Sequence, residues 1–215
     1  MQNVFDLIHS PSILSAIVIR HAQRYEICGA EDYWTCGLTE AGTEAANEFG
    51  RHLNGSFDSY RIFYSPVKRC QQTAESIASQ LDGKVMSLAP EKMLGVSYIR
   101  VDIPKGFTEA DNYPDFIRDW FDGRVPADIF KPLAETRDEH IAYMRSRLSE
   151  IERPHHLDIH VTHDWNINVL REGIFGLRHE DIGWPDFLSG LGFAREPGEI
   201  FALLFDGTAI RRQAV

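Results

Sequence analysis

The order of the apolar segments constrains this chain most. Ser15–Arg20 (S-A-I-V-I-R) is a short β-branched run that reads as a buried strand. Arg61–Tyr64, Lys84–Leu88 and Leu157–Thr162 read as three more strands, and helical patterns lie between them. Leu38-Thr39 opens a helix with Thr39 as N-cap and Ala45, Ala46, Phe49 and Leu53 on one face. Ser65-Pro66 opens another, with Ser as cap and Pro as first helical residue, burying Cys70, Ala74, Ile77, Ala78 and Leu81. Pro132–Ile151 is helical with Leu133, Ile141, Met144 and Leu148 in its stripe, and a further helix runs from Asp164 to about Phe175. The chain ends in a hairpin, Ile200–Phe205 and Thr208–Arg212, on an Asp206-Gly207 turn. Alternating strands and helices predict an α/β fold: a three-layer sandwich whose mostly parallel sheet carries helices on both faces. This gives a single domain over residues 1–215, with an irregular insertion at about 89–131 that holds one short helix, Asp115–Phe121. Gly176–Glu199 reads as loop, with Trp184 and Phe187 exposed.

Composition removes several classes of function. Twenty-two Lys+Arg against 32 Asp+Glu give a net charge of −10, with no basic run, which argues against nucleic acid and against a polybasic membrane anchor. Cys28, Cys36 and Cys70 are too sparse for a disulfide framework, and none forms a Cys-x-x-Cys pair. No apolar run reaches the ~18 residues of a membrane helix. Met1–Ser12 lacks Lys and Arg and makes a poor signal peptide. A cytoplasmic protein without a membrane partner is expected.

Ligands of parallel sheets bind beyond the carboxyl ends of the strands. The first strand ends in Arg20-His21, the second runs into Ser65-Pro66-Val67-Lys68-Arg69, and the last before a helix ends in His163-Asp164. Arginine forks suit phosphate oxygens, and Arg69 falls in a helix's first turn, where free N–H groups also favour an anion. A neutral imidazole among arginines is a competent nucleophile. Asp164 suits proton donation to a leaving oxygen, although it is equally a helix cap. Together these residues point to phosphoryl transfer through a histidine, with no metal and no cofactor. His155, His156, His160 and His163 invite a metal reading, but His160 and His163 fall on opposite faces of a strand. Trp165, Trp184, Phe187 and Phe193 read as packing, with Trp184 and Phe187 also candidates for a substrate mouth.

The chain resembles the histidine phosphatase superfamily, which includes phosphoglycerate mutase-like enzymes and histidine acid phosphatases. The resemblance runs from about Ser15 to Phe175. It rests on I-V-I-R-H-A-Q-R, L-T-E-A-G-T-E-A-A-N-E-F-G-R-H-L, F-Y-S-P-V-K-R-C-Q-Q-T-A-E-S-I-A and I-H-V-T-H-D-W-N-I-N-V-L, in that order. It implies that His21 becomes phosphorylated, that Arg20 and Arg69 hold phosphate, and that His163 is the second pocket histidine. Two departures stand out. Ala22 replaces the signature glycine. His163-Asp164 and Arg24 look like the acid phosphatase branch, where the Asp donates the proton and the extra arginine binds phosphate, whereas the length and the Ser-Pro-x-x-Arg segment look like the mutase branch. The rival acid is a carboxylate of the insertion, Glu109 first, then Asp102 or Asp111. Met93–Tyr98 lacks the Glu often found there in mutases, which favours Asp164. The expected activity is metal-independent hydrolysis of a phosphomonoester through phosphohistidine on His21. The substrate expected is a phosphorylated small molecule, with a phosphoprotein as the other possibility. The alternatives are a phosphomutase or phosphotransferase, for which Arg100, Lys105 and Arg118 of the insertion form no mutase-like pair, or a catalytically silent phospho-ligand binding protein.

Overall fold

The computed structural model describes residue 7 and residues 14–29, 32–101, 113–153, 155–205 and 209–215. Asp102, Lys105, Glu109, Asp111 and the Asp206-Gly207 turn lie outside the described residues. In chain order the elements are β1 (Ala16–Arg20), α1 (Asp32–Thr35), α2 (Glu40–Leu53), β2 (Ser59–Tyr64), α3 (Lys68–Ser79) and β3 (Val85–Pro90). A 3-10 turn at Lys92–Leu94 leads to α4 (Tyr113–Phe121), α5 (Leu133–Ser149), β4 (His156–Thr162), α6 (Asp164–Phe175) and α7 (His179–Ile182). Strands β5 (Gly190–Glu196), β6 (Glu199–Phe205) and β7 (Ile210–Ala214) follow.

The sheet order is β3-β2-β4-β1-β5-β6-β7. The first four strands are parallel, as expected, and the last three pairings are antiparallel, so the sheet is mixed. Strand β4 enters between β1 and β2. That crossover decides the site, because it brings the end of β4 between the ends of β1 and β2.

Alternation along the strands feeds two cores. Ile17 and Ile19 face α2 and α3 (Phe49, Leu53, Cys70, Ile77), and Ala16 and Val18 face α5 and α6 (Met144, Leu148, Ile167, Leu170). A third cluster is built by the insertion: Tyr98, Ile117, Trp120 and Phe130 pack on Trp165 and Val169 of α6. Asn166 anchors it further, donating its Nδ2 to the carbonyls of Leu94 and Gly95. The insertion therefore has a core of its own, and Trp165 is packing within it.

Several local expectations are corrected. Ser65 does not cap α3. The helix begins at Lys68 with Val67 as its cap, because the buried Ser65 hydroxyl is engaged by His163 Nε2 at 2.8 Å. Thr39 does cap α2, accepting from the Gly42 N–H at 2.9 Å. The buried stripe of α2 is Gly42, Ala46, Phe49, Gly50 and Leu53, and Ala45 is exposed. Gly42 and Gly50 replace bulk because neighbouring backbone comes too close: a Cβ on Gly42 would lie 1.9 Å from the Gln23 carbonyl oxygen. In α5 the buried stripe is Thr136, His140, Met144 and Leu148, while Ile141 is only half-buried. The expected loop at 176–199 contains α7 and β5, and Trp184, expected exposed, is half-buried with its Nε1 donating to Asp164. The glycines of β5 hid that strand, and Gly190 is required: a Cβ there would meet the Val18 carbonyl oxygen at 1.9 Å, whereas one on Gly192 would meet only the end of the Leu14 side chain at 2.7 Å.

Two outcomes follow from this packing. Gly42→Ala pushes on the loop that carries His21 and is expected to lower stability by about 2 kcal/mol or more in urea unfolding; an unchanged midpoint contradicts the close approach. Burial pushes His160 down to about 4, with its Nδ1 on Tyr143 Oη. Between that value and the ordinary ~6.5 the unfolded chain holds a proton that the folded chain does not, so stability falls as pH drops through this window. Replacing His160 by Leu is expected to flatten the fall, by up to about 3 kcal/mol between pH 6.5 and 4; an unaltered slope in pH-dependent melting refutes this assignment.

Candidate active site

The expected residues converge at the carboxyl ends of β1, β2 and β4. Arg20 closes β1 and His21 follows it, its N–H held by the Thr162 carbonyl at 2.9 Å. His163 and Asp164 follow β4 directly, and Arg69 sits in the first turn of α3. Arg20, His21, Arg69 and His163 are all buried.

Arg69 joins the two histidines. Its Nε donates to His21 Nε2 at 3.1 Å, its Nη2 to His163 Nδ1 at 3.2 Å, and its Nη1 to the Tyr33 carbonyl at 2.6 Å. These contacts set both tautomers. His21 carries its proton on Nδ1, which donates to the Ala22 carbonyl at 2.8 Å, and presents the Nε2 lone pair. His163 carries its proton on Nε2, donating to Ser65 Oγ. Burial and then the Arg69 charge hold His21 well below the usual histidine range, with Arg20 adding to the effect against the Ala22 carbonyl and Asp164. His163 is lowered in the same way, by burial first and then by Arg69, His21, Arg20 and Arg24.

Arg20 stands across the pocket. It donates to the Pro185 carbonyl at 2.7 Å and pairs with Asp164 at 2.8 Å. Asp164 is the first residue of α6, not its cap; its Oδ1 accepts from the Trp165 N–H and its Oδ2 from Trp184 Nε1, each at 3.0 Å. Burial opposes its charge, but Arg20, the Trp184 N–H, His21 and Arg69 prevail and keep its pKa low. Arg24 is half-buried and donates to the Tyr25 carbonyl at 2.8 Å. Burial and Arg69 lower its pKa, which puts it within electrostatic reach of the same pocket. Thus Arg20, His21, Arg69, His163 and Asp164 share one pocket and Arg24 borders it. Glu109 lies outside the described residues.

Sequence reasoning overlooked several contributors. Ser65 orients His163, and Thr73 Oγ1 accepts the Ala22 N–H at 3.0 Å, fixing the backbone after His21. Tyr33 lies beneath the Arg69 guanidinium, 4.7 Å from it, and Phe187 beneath that of Arg20, 4.1 Å away. The Phe187 ring is 5.8 Å from that of His21 and stays partly exposed. The other clustered histidines do other work: His156 bridges Ser59 and Asp158, and His160 stacks on Phe63. Ser65 and Thr73 carried a signal, since both belong to the segment that delivers Arg69. Tyr33 comes from the single turn α1 and had none, and Phe187, from a loop, had one only as a candidate for the mouth and not as a partner of Arg20.

Known proteins share this arrangement of elements. A mycobacterial structure, "Mycobacterial hydrolase 1", aligns at 15% identity over 94% of this chain and 96% of its own, with a TM-score of 0.59. A phosphoserine phosphatase mutant from Entamoeba histolytica aligns at 20% identity over 92% and 93%, with a TM-score of 0.53. A phosphoglycerate mutase from Bacillus anthracis aligns at 14% identity over 96% and 95%, with a TM-score of 0.55. No curated protein sequence matches. The sequence profile of the histidine phosphatase superfamily (branch 1) matches residues 16–187, a span holding every described site residue, and the chain therefore belongs to that superfamily.

Proposed function

We propose that this protein is a phosphatase that hydrolyses a phosphomonoester through phosphohistidine on His21, with no metal required. The observation that carries this reading is the Arg69 bridge. It brings a neutral imidazole lone pair, a second histidine and the buried guanidiniums of Arg69 and Arg20 together. Such a site is shaped for a phosphoryl group: its fixed positive charge meets the equatorial oxygens, and nothing must reorganise as charge develops.

The steps are these. An incoming phosphate oxygen replaces His21 as acceptor for Arg69 Nε–H, freeing the Nε2 lone pair. Nε2 attacks phosphorus, the P–O bond to the leaving group breaks, and the leaving oxygen takes the Asp164 proton. Water then attacks phosphohistidine and gives its proton to Asp164; orthophosphate leaves and Nε2 regains its lone pair. Asp164 is ionised in the free site, so its proton arrives with the substrate's monoanion. The dianionic transition state beside it raises its affinity for that proton.

The mutase reading needs further cations for a second anionic group. Arg118, largely buried, pairs with Asp122, Glu172 and Glu180 and is committed to the scaffold, whereas Arg100 pairs with Glu135 on the surface. That observation favours hydrolysis. The three free cysteines suit a reducing, cytoplasmic setting, and no helix among the described residues is long and apolar enough to cross a membrane.

Para-nitrophenyl phosphate is expected to be turned over in the presence of EDTA, with inhibition by vanadate and loss of at least ~10³-fold in kcat in His21→Ala. Turnover that survives this substitution, or that EDTA abolishes, sinks the proposal. For Asp164→Asn, kcat on an alkyl phosphate is expected to fall by roughly 10²–10⁴, but on para-nitrophenyl phosphate by less than about tenfold, because nitrophenolate leaves unprotonated. Equal losses on both substrates would remove Asp164 as the acid and move the role to the insertion, where Glu109 is the first candidate.

A further inference from the structure

The two guanidiniums that face the histidines are each backed by an aromatic ring. Phe187 lies under Arg20 and 5.8 Å from the His21 ring; Tyr33 lies under Arg69 and 6.2 Å from the His163 ring. Phe187 is nonetheless 38% exposed, a large apolar side chain beside a buried polar pocket. Trp34, edge-on to Tyr33 at 5.2 Å, is 48% exposed. A phosphoryl group served by arginines makes no use of such surface. An apolar leaving group does, and a flat one matches the rings best, since aromatic pairs settle with centroids ~4.5–7 Å apart.

We infer that the leaving group is aromatic: the substrate is the phosphate monoester of a phenol, its ring packed against Phe187 at the mouth of the His21 pocket. This rests on the phosphatase reading above. The bonding changes are those already given: Nε2–P forms, P–O(aryl) breaks, and the phenolate oxygen takes the Asp164 proton. The chemistry agrees with the geometry. A phenol ionises near ~10, far more readily than an alkyl alcohol, so it asks less of a general acid. Asp164, held ionised by Arg20 and Trp184, carries a proton only when the substrate brings one, which suits a leaving group that needs little protonation. The buried partners of Arg118 also leave that cation out of recognition of a second acidic group.

Calorimetry with non-hydrolysable phosphonates tests this without requiring turnover. Benzylphosphonate is expected to bind the wild-type protein about fivefold or more tightly than cyclohexylmethylphosphonate, which has the same charge and similar bulk. Phe187→Leu is expected to bring the two within about twofold, and Phe187→Tyr to restore the preference; inorganic phosphate, titrated alongside, reports that each variant keeps a formed pocket. Equal binding of both phosphonates to the wild type overturns the aromatic assignment while phosphate binding leaves the phosphatase reading standing. A preference that persists in Phe187→Leu overturns the role of Phe187. Failure of the wild type to bind even inorganic phosphate overturns both readings. Where the preference holds, comparing kcat/KM for phenyl phosphate and a phosphotyrosyl peptide names the source: a gain of about tenfold or more for the peptide marks a protein substrate, and parity marks a small aryl phosphate.

Discussion

One guanidinium organises this site. Arg69 reaches both His21 and His163 and thereby decides where each imidazole keeps its proton. Remove that bridge and His21 loses the donor that defines its Nε2 lone pair, while His163 loses the partner that fixes its tautomer. A cation so placed does two jobs at once. It holds the imidazole neutral before substrate arrives, and it offers N–H groups to phosphate oxygens afterwards. Much of the surrounding architecture serves to hold Arg69 in place: burial in the first turn of α3, the Tyr33 carbonyl and the Tyr33 ring.

Sheet order makes the bridge possible. With β4 inserted between β1 and β2, residues more than ninety positions apart, Arg69 and His163, become hydrogen-bonding neighbours. Glycines make the close approaches. Gly42 lets α2 lie on the loop behind His21, and Gly190 lets β5 pass the Val18 carbonyl. The aromatic cluster of the insertion holds the start of α6, where Asp164 sits between Arg20 and Trp184. Packing far from the reacting nitrogen thus sets the position of the groups beside it.

Residues at strand ends were legible in the sequence because local pattern places them. Arg20-His21 and His163-Asp164 follow apolar runs directly, and Arg69 follows a strand and a helix start. The helices and the parallel half of the sheet were readable for the same reason, since their burial follows from alternation and from 3.6-residue spacing. What stayed hidden depends on tertiary contact. β5 is half disguised by two glycines, one of which, Gly190, makes room for the backbone of β1. Ser65 looked like a helix cap because its actual partner, His163, lies 98 residues away. Phe187 sits in a loop and Tyr33 in the single turn α1, too short for a period to report on burial, and only the folded chain sets them beneath Arg20 and Arg69.

The central claim is that phosphorus bonds to His21 Nε2 during turnover. Rapid mixing of the protein with a 32P-labelled aryl phosphate, followed by alkaline quench and peptide mapping, tests it most directly. The account predicts label on the His21 peptide, stable to alkali and lost in acid, that appears before steady-state release of phosphate. Phosphate release with no labelled protein at any time, or label that persists in His21→Ala, would contradict it.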